Sequence, residues 1–306
     1  MNNSDKQIDL KRLINIFYQS KFLIIIFTTI GILLSLGIAL YLKNIYYSNA
    51  LLQINEDQNQ SSSGLGQYSD LAGLAGINLP TNSEDSGIFA VEVIRSRDFF
   101  YYLMEKHDLK LPIMASNGFD RETGNIIINK RIYDEKNKKW VRRVSLPLKP
   151  EPSAIETHEK FLEKNLSVYR NLKTGYIEIA LSHHSPVFAK ETLDLIIYEL
   201  NETVRKRELN EAKEAVEFLK KQLSEYSTAE SKNVIFKLME KQINTQMMAE
   251  RSDYLVKVID SPNLPIKKSW PSRIMILIFG AILGLSFGML ITISRFYFKN
   301  DKETST

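Results

Sequence analysis

The sequence predicts an α+β membrane protein in which two transmembrane helices flank an exported α/β base domain with a long protruding helical hairpin. Two segments, 22–42 and 274–294, each contain 21 residues without a charge. A helix of about 20 apolar residues is long enough to cross the hydrocarbon core of a bilayer. Between these segments, strand-like alternation mixes with helical periodicity, and one helical pattern persists for about 40 residues.

Composition excludes several classes of protein. The chain has 306 residues, of which 44% are hydrophobic and 25% are charged, so it is neither a disordered chain nor a transporter made mostly of apolar segments. The net charge of +4 is too small for a general nucleic-acid binder. Because there is no cysteine, disulfides, thiolate metal sites and a cysteine nucleophile are excluded.

Flanking charges predict the topology. Four basic residues (Lys6, Lys11, Arg12 and Lys21) precede the first apolar segment, and only Lys43 follows it closely. The positive-inside rule then places both termini in the cytoplasm. We expect a cytoplasmic segment 1–21, a transmembrane helix 22–42, a periplasmic domain 43–273, a second transmembrane helix 274–294 and a cytoplasmic tail 295–306.

Two alternatives concern the N-terminal region. A cleaved signal peptide is disfavoured because its apolar core spans only about 7–15 residues. Before the span, apolar residues recur at helical spacing, which fits either an interfacial amphipathic helix or the first turns of the membrane helix itself. These residues are Leu10, Leu13, Ile14 and Phe17.

The first half of the exported domain alternates strands, helices and turns. We predict a strand at 47–54, a glycine-rich loop at 56–83 that buries leucines, and one helix from Ser83 to about Lys106. The turn-rich stretch 114–152 contains a hairpin and a strand at 139–146. A capping box at Ser153–Glu156 starts the next helix, and strands follow at 166–170 and 176–182.

The second half is dominated by a long helix, predicted at 186–226 with Ser185 as its cap and Pro186 at its first position. A returning helix is expected at 231–251, then a strand at 254–259 and a stiff proline-rich collar at 262–271 containing Pro262, Pro265 and Pro271. A narrow apolar stripe on so long a helix needs cover from the returning helix or from neighbouring subunits. The stripe consists of Leu193, Ile196, Leu200, Val204, Val216, Leu219 and Leu223.

Small residues form a ridge on each predicted span. They recur at four-residue spacing, which lets helix backbones approach closely in lipid. Such ridges could pair the two spans of one chain or the spans of different subunits. The first ridge is Gly31, Ser35 and Ala39, and the second is Gly280, Gly284 and Gly288.

No catalytic, cofactor-binding or metal-binding constellation stands out. The chain has no phosphate-binding GxxxxGK[ST] loop, HExxH, GxSxG or EF-hand pattern. His183 and His184 are neighbours on a predicted strand and therefore point to opposite faces. The sequence predicts a protein that is not an enzyme and needs no cofactor, although a carboxylate pair assembled by folding stays open.

Several motifs, in this order, resemble the polysaccharide co-polymerases, the Wzz family of chain-length determinants. IDLKRLINIFYQSKFLI enters the first span, YYSNALLQI follows it, and SGIFAVEVIRSRDFFYYL forms the first exported helix. GYIEIALSHHSPVFAKETLDLIIYELN is similar to the family's strand and long helix, and VKVIDSPNLPIKKSWPSR to its proline-rich motif. The proline motif is sparser here, with Ser269-Trp270 where the family usually has a further proline step.

The resemblance implies a ring-like homo-oligomer in the bacterial inner membrane, working with a Wzy-type polymerase on a lipid-linked polysaccharide. It implies control of the chain length of O-antigen or a related surface polysaccharide. Two alternatives remain: an export co-polymerase for capsule or exopolysaccharide that works with a separate kinase, and a two-span sensor. The 12-residue tail is too short for the kinase domain of larger family members or for a sensor's output domain.

Overall fold

The computed structural model describes residues 17–55, 83–225, 228–249 and 253–303. Most of the predicted N-terminal apolar stripe and nearly all of the glycine-rich loop lie outside these residues. The chain divides into two units, one formed by residues 1–44 with 269–306 and the other by 45–268.

The first unit contains two long apolar helices packed against each other, α1 (Lys21–Tyr41) and, at the C-terminal end, α8 (Arg273–Glu303). In the described part of the chain, these two helices are long and apolar enough to cross a membrane, judged by length and composition. The first coincides closely with the predicted span. The second continues beyond Ser294 into the segment assigned to the tail.

The second unit is built on a four-stranded antiparallel sheet with the spatial order β6-β7-β1-β8. The register pairs Tyr46 with His183 at one end of the sheet and Leu52 with Ile177 further along β1. The strands are β1 (Tyr46–Ile54), β6 (Leu166–Arg170), β7 (Ile177–His183) and β8 (Val256–Asp260). The last strand begins two residues later than predicted.

The single helix predicted from Ser83 to about Lys106 is instead two helices, α2 (Ser83–Arg95) and α3 (Arg97–His107). The break occurs at Ser96, whose backbone is extended and whose hydroxyl accepts a hydrogen bond from the Phe99 amide at 3.3 Å. A serine side chain that caps the next helix replaces the backbone hydrogen bonds that would continue the preceding one. A short helix, α4 (Lys110–Ala115), follows and contains Pro112 in its first turn, where proline is tolerated.

The region between α4 and β6 contains two small hairpins. The strand predicted over 139–146 is much shorter, because pairing ends at Trp140 and an irregular loop follows. The predicted capping box is confirmed at the start of α5 (Ala154–Lys160), which continues as a π-helical turn, Phe161–Asn165. The hairpin strands are β2 (Ser116–Phe119), β3 (Ile126–Ile128), β4 (Tyr133–Asp134) and β5 (Lys139–Trp140).

The predicted helical hairpin is confirmed. Helix α6 (Pro186–Glu225) runs for 40 residues without interruption, and α7 (Ala229–Met248) returns along it. At about 1.5 Å per residue, α6 is about 60 Å long. Its first half packs on the sheet through the main core, whereas its second half contacts α7 in a separate cluster of Leu219, Ile235 and Leu238.

Candidate functional site

The two apolar helices approach each other at their small residues. A Cβ atom added to Gly31 would lie 2.5 Å from the Gly280 carbonyl oxygen, and one added to Gly284 would lie 2.6 Å from that of Phe27. A Cβ atom on Gly280 would collide with Ser35, and one on Gly288 would lie 3.0 Å from the Ile24 Cα. The structure therefore brings the two predicted ridges together within one chain.

Other small residues differ in their surroundings. Ser35 and Ala39 are buried in the same unit, and the Ser35 hydroxyl donates to the Ile32 carbonyl of its own helix at 2.9 Å. By contrast, a Cβ atom on Gly37 would meet no atom within 4 Å. Gly37 therefore provides a natural control for substitutions in the ridge.

The proline-rich segment is hydrogen-bonded to the beginning of β1. Asn263, between two of the predicted prolines, accepts a hydrogen bond from the Ser48 hydroxyl through its carbonyl oxygen at 2.7 Å. Its side-chain oxygen accepts another from the Asn49 amide at 2.9 Å. Pro262 and Pro265 are buried, and Pro271 precedes α8 by two residues. These two hydrogen bonds fasten the segment to the strand that begins the second unit.

The predicted stripe on the long helix is covered within one chain. Its first four members, Leu193, Ile196, Leu200 and Val204, belong to the main core. Val216 and Leu219 are buried further along α6, and Leu223 packs against the hairpin cluster. Other apolar side chains of the hairpin are exposed, and we name them together the apolar hairpin surface. They are Phe218, Phe236, Ile243 and Met247.

A buried carboxylate on α6, Glu199, was not singled out from the sequence. Its side chain is 1% exposed and receives the Tyr102 hydroxyl at 2.8 Å and the Lys106 ammonium at 2.7 Å. His107 Nε2 lies 3.1 Å from the same carboxylate. Burial by itself raises the pKa of Glu199, but the hydrogen bonds from Lys106, Tyr102 and His107 outweigh this effect and hold the pKa below its ordinary value. The cluster joins α6 to α3.

Asn201, also on α6, was likewise missed. Its side-chain oxygen accepts from the amides of Leu255 and Val256, both at 2.9 Å, and its amide donates to the Val256 carbonyl at 3.1 Å. All of these groups are buried. The side chain therefore fastens the returning chain to the long helix at the beginning of β8. A single asparagine beside an apolar stripe gives little sequence signal of such a role.

His183 is a structural residue in the base. Its Nε2 lies 3.1 Å from the Pro112 carbonyl oxygen, and its Nδ1 accepts from the Ser185 amide at 3.0 Å. This pattern assigns the neutral tautomer with the proton on Nε2. Burial lowers the pKa of His183 to about 4. Among the described residues, no group of three His, Asp or Glu side chains is arranged to hold a metal ion.

The N-terminal third of the chain matches a known protein family. Residues 6–106 match the family model of the Wzz chain length determinant proteins. This match contains α1, β1 and α2 and ends one residue before the last residue of α3. The resemblance to the Wzz family is confirmed over these residues. No curated protein sequence matches the chain.

The chain is also similar, at 11–14% identity, to three solved structures. A full-length bacterial polysaccharide co-polymerase is 13% identical, with 95% of this chain and 99% of that chain covered and a TM-score of 0.42. A fragment of the polysaccharide co-polymerase WzzB from Salmonella Typhimurium is 14% identical, with coverages of 74% and 100% and a TM-score of 0.33. A point mutant of the Shigella flexneri lipopolysaccharide O-antigen chain-length regulator WzzB is 11% identical, with coverages of 74% and 100% and a TM-score of 0.23.

Proposed function

We propose that this protein is an inner-membrane polysaccharide co-polymerase that regulates the chain length of O-antigen or a related surface polysaccharide made by a Wzy-type polymerase. The match of residues 6–106 to the chain length determinant family carries the proposal. The paired apolar helices at the two ends of one α+β unit support it, because they fit a domain held to a membrane at both ends.

The proposed orientation has both termini in the cytoplasm and residues 43–273 in the periplasm. Basic residues are concentrated before the first span, as the positive-inside rule requires. In this arrangement, the exported unit faces the compartment in which lipid-linked polysaccharide would be extended. The protein acts on the polymer from the periplasmic face of the membrane.

The protein acts as an oligomeric scaffold without catalysis of its own. Support comes from the apolar hairpin surface, since Phe218, Phe236, Ile243 and Met247 are exposed apolar side chains on the outside of the hairpin. Exposed apolar patches on a protein surface commonly mark interfaces. Copies of the chain that pack through this surface would form a ring-like homo-oligomer.

Length control would follow from the geometry of this assembly and from contact between the spans and the polymerase. The close approach of Gly31 to Gly280 and of Gly284 to Phe27 fixes how the two spans of one chain pack. A change in that packing would alter the face that the spans present to a polymerase in the membrane. The small-residue ridges are therefore the proposed functional residues of the membrane region.

Deletion of the gene followed by gel analysis of the surface polysaccharide tests the proposal. We expect the deletion strain to lose the preferred chain length and the plasmid-borne gene to restore it. A ladder that is the same in the deletion strain and the parent would contradict the proposed function. Loss of all surface polysaccharide, with no change in length distribution, would instead indicate a role in polymer synthesis or export.

A further inference from the structure

The exported unit concentrates positive charge in one short stretch. Residues 130–149 contain eight basic and two acidic residues, a net charge of +6, whereas residues 43–273 as a whole have 33 basic and 32 acidic residues. The rest of that segment is therefore net negative. Seven of the eight basic side chains are exposed: Lys130, Arg131, Lys136, Lys138, Lys139, Arg143 and Lys149.

Apolar side chains are exposed between these charges. Residues 141–149, VRRVSLPLK, form the loop after β5, which we name the basic–apolar loop. Leu146 is 92% exposed, and Val141, Val144 and Leu148 are also exposed. Single exposed apolar residues are common on protein surfaces, whereas several together in one exposed segment mark a site of interaction with a protein or a membrane. Exposed apolar residues flanked by Lys and Arg are typical of segments that lie in a membrane interface.

The loop is held in shape by Arg142, its one half-buried basic side chain. The guanidinium donates to both carboxylate oxygens of Glu156 at 2.8 Å. It also donates to the carbonyl oxygens of Lys149 and Pro150, again at 2.8 Å. Arg142 thus ties the two ends of the loop together and to the beginning of α5. Leu146 is displayed by an ordered turn, in which the Leu148 amide donates to the Ser145 carbonyl at 3.0 Å.

The basic–apolar loop belongs to the region between α4 and α5. Contacts connect this region to the end of the sheet at which β1 begins. Tyr46, the first residue of β1, accepts the Arg121 guanidinium at 2.7 Å and packs edge-on against Phe119. The Lys110 ammonium at the start of α4 lies 3.0 Å from the carboxylate of Glu151, just beyond the loop. In the sequence, Tyr46 comes five residues after α1 ends at Tyr41, so this is the end of the sheet at which the chain enters from α1.

We propose that the basic–apolar loop docks on the surface of a bilayer that contains anionic phospholipid. Leu146 enters the boundary between headgroups and acyl chains, and Arg143 and Lys149 face lipid phosphates. Electrostatic attraction to anionic lipid and burial of apolar area both favour this contact. An acidic glycan would satisfy the charges but would leave Leu146 in water, so the lipid surface is the better match. The inference requires that the apolar helices span a membrane, but it does not depend on chain-length control.

A site-specific fluorescent label tests this contact in the full-length protein. Because the chain has no cysteine, Ser145→Cys provides one attachment site beside Leu146, and Lys173→Cys provides a matched control. The control lies beside Leu172, which is 85% exposed in the β6–β7 turn. The register places that turn at the end of the sheet opposite Tyr46. Both proteins are labelled with the dye NBD and placed in nanodiscs that contain a lipid with a nitroxide near its headgroup.

In nanodiscs of phosphatidylethanolamine and phosphatidylglycerol, we expect strong nitroxide quenching at position 145 and little at position 173. Leu146→Asp, or Arg143→Glu with Lys149→Glu, should remove most of the quenching at 145. These side chains are exposed and make no core contact, so the variants should fold normally, and unchanged circular dichroism would verify this. Quenching should also fall in nanodiscs of phosphatidylcholine alone and at high salt.

Two results would overturn the proposal. One is equal quenching at positions 145 and 173 in every nanodisc. The other is emission at 145 that responds to an added acidic polysaccharide but not to phosphatidylglycerol, which would indicate a glycan-binding loop. Either result would leave the proposed chain-length function standing, because that function is measured by the polysaccharide ladder.

Discussion

The pH dependence of folding should be governed in part by one buried imidazole, that of His183. In the unfolded chain, the imidazole has its ordinary pKa of 6.5, whereas burial in the folded protein lowers the pKa to about 4. Below about pH 6.5, the unfolded state therefore binds more protons than the folded state, and the free energy of unfolding decreases as the pH falls. This loss continues until the pH reaches the folded pKa. A proton on Nδ1 would also break the hydrogen bond that Nδ1 accepts from the Ser185 amide.

The size of the effect follows from these two pKa values. Between about pH 7 and pH 5, His183 alone should reduce the free energy of unfolding by about 2 kcal/mol, since each pKa unit corresponds to about 1.4 kcal/mol. His183→Gln removes the titrating group, so the variant should show a pH dependence weaker by about this amount, whatever its stability at neutral pH.

Urea titration of the full-length protein in detergent micelles measures the effect. Trp140 reports on the base because it packs against the main core, and Trp270→Phe removes the other tryptophan. The free energy of unfolding of the parent, minus that of the His183→Gln variant, should fall by about 2 kcal/mol as the pH falls from 7 to 5. If the two pH profiles stayed parallel, His183 would not be the buried neutral group described above.

Three further changes test the base and the hairpin. Asn201→Ala should reduce the free energy of unfolding by about 2–3 kcal/mol in the same urea titration, because two buried amides and a carbonyl lose their partner. An effect below about 0.5 kcal/mol would argue that Asn201 does not hold the returning chain to α6. Leu219→Ala should speed hydrogen exchange in the hairpin by about 30-fold or more, because the local loss is about 2 kcal/mol or more, whereas Lys220→Ala, which changes an exposed side chain outside the apolar hairpin surface, should not. Equal exchange in both variants would be inconsistent with a buried hairpin cluster. Glu199→Gln should destabilise the protein at neutral pH, because the pKa of Glu199 is lowered in the folded state. This destabilisation should shrink as the pH falls below about 4.5, since the wild-type carboxylate is then neutralised too. If the variant and the wild type still differed in free energy of unfolding at low pH, charge would not be what the cluster provides.

Local sequence patterns predicted much of the architecture. The uncharged runs, the Ser153 capping box and the persistent periodicity of α6 are properties of contiguous residues, so they can be read from one sequence. The break at Ser96 was missed because apolar spacing continues on both sides of it, while a side-chain hydrogen bond decides the local geometry. Strand β5 is shorter than the predicted strand at 139–146, because strand propensity does not reveal where pairing with the partner strand ends.

Residues that join distant segments could not be predicted. Glu199 meets Tyr102 and Lys106 almost a hundred residues away, and Asn201 meets Leu255 across 54 residues. In the sequence, nothing local distinguishes these two buried residues from the polar residues on the exposed face of α6. The basic–apolar loop was not predicted for a different reason. The charge of residues 43–273 was considered only as a total, which is near neutral because the strongly positive stretch is balanced by a negative remainder.

The proposed role of the spans in chain-length control is tested most directly by the polysaccharide ladder of a deletion strain that carries variant genes. At Gly284, an added Cβ would lie 2.6 Å from the Phe27 carbonyl oxygen and 2.8 Å from the Thr28 Cα, so a leucine forces the two helices apart. At Gly37, the same change meets open space. We expect Gly284→Leu to shift the length distribution at normal abundance in the membrane and Gly37→Leu to restore the parental ladder. A parental ladder from Gly284→Leu, or the same shift from both variants, would contradict the account.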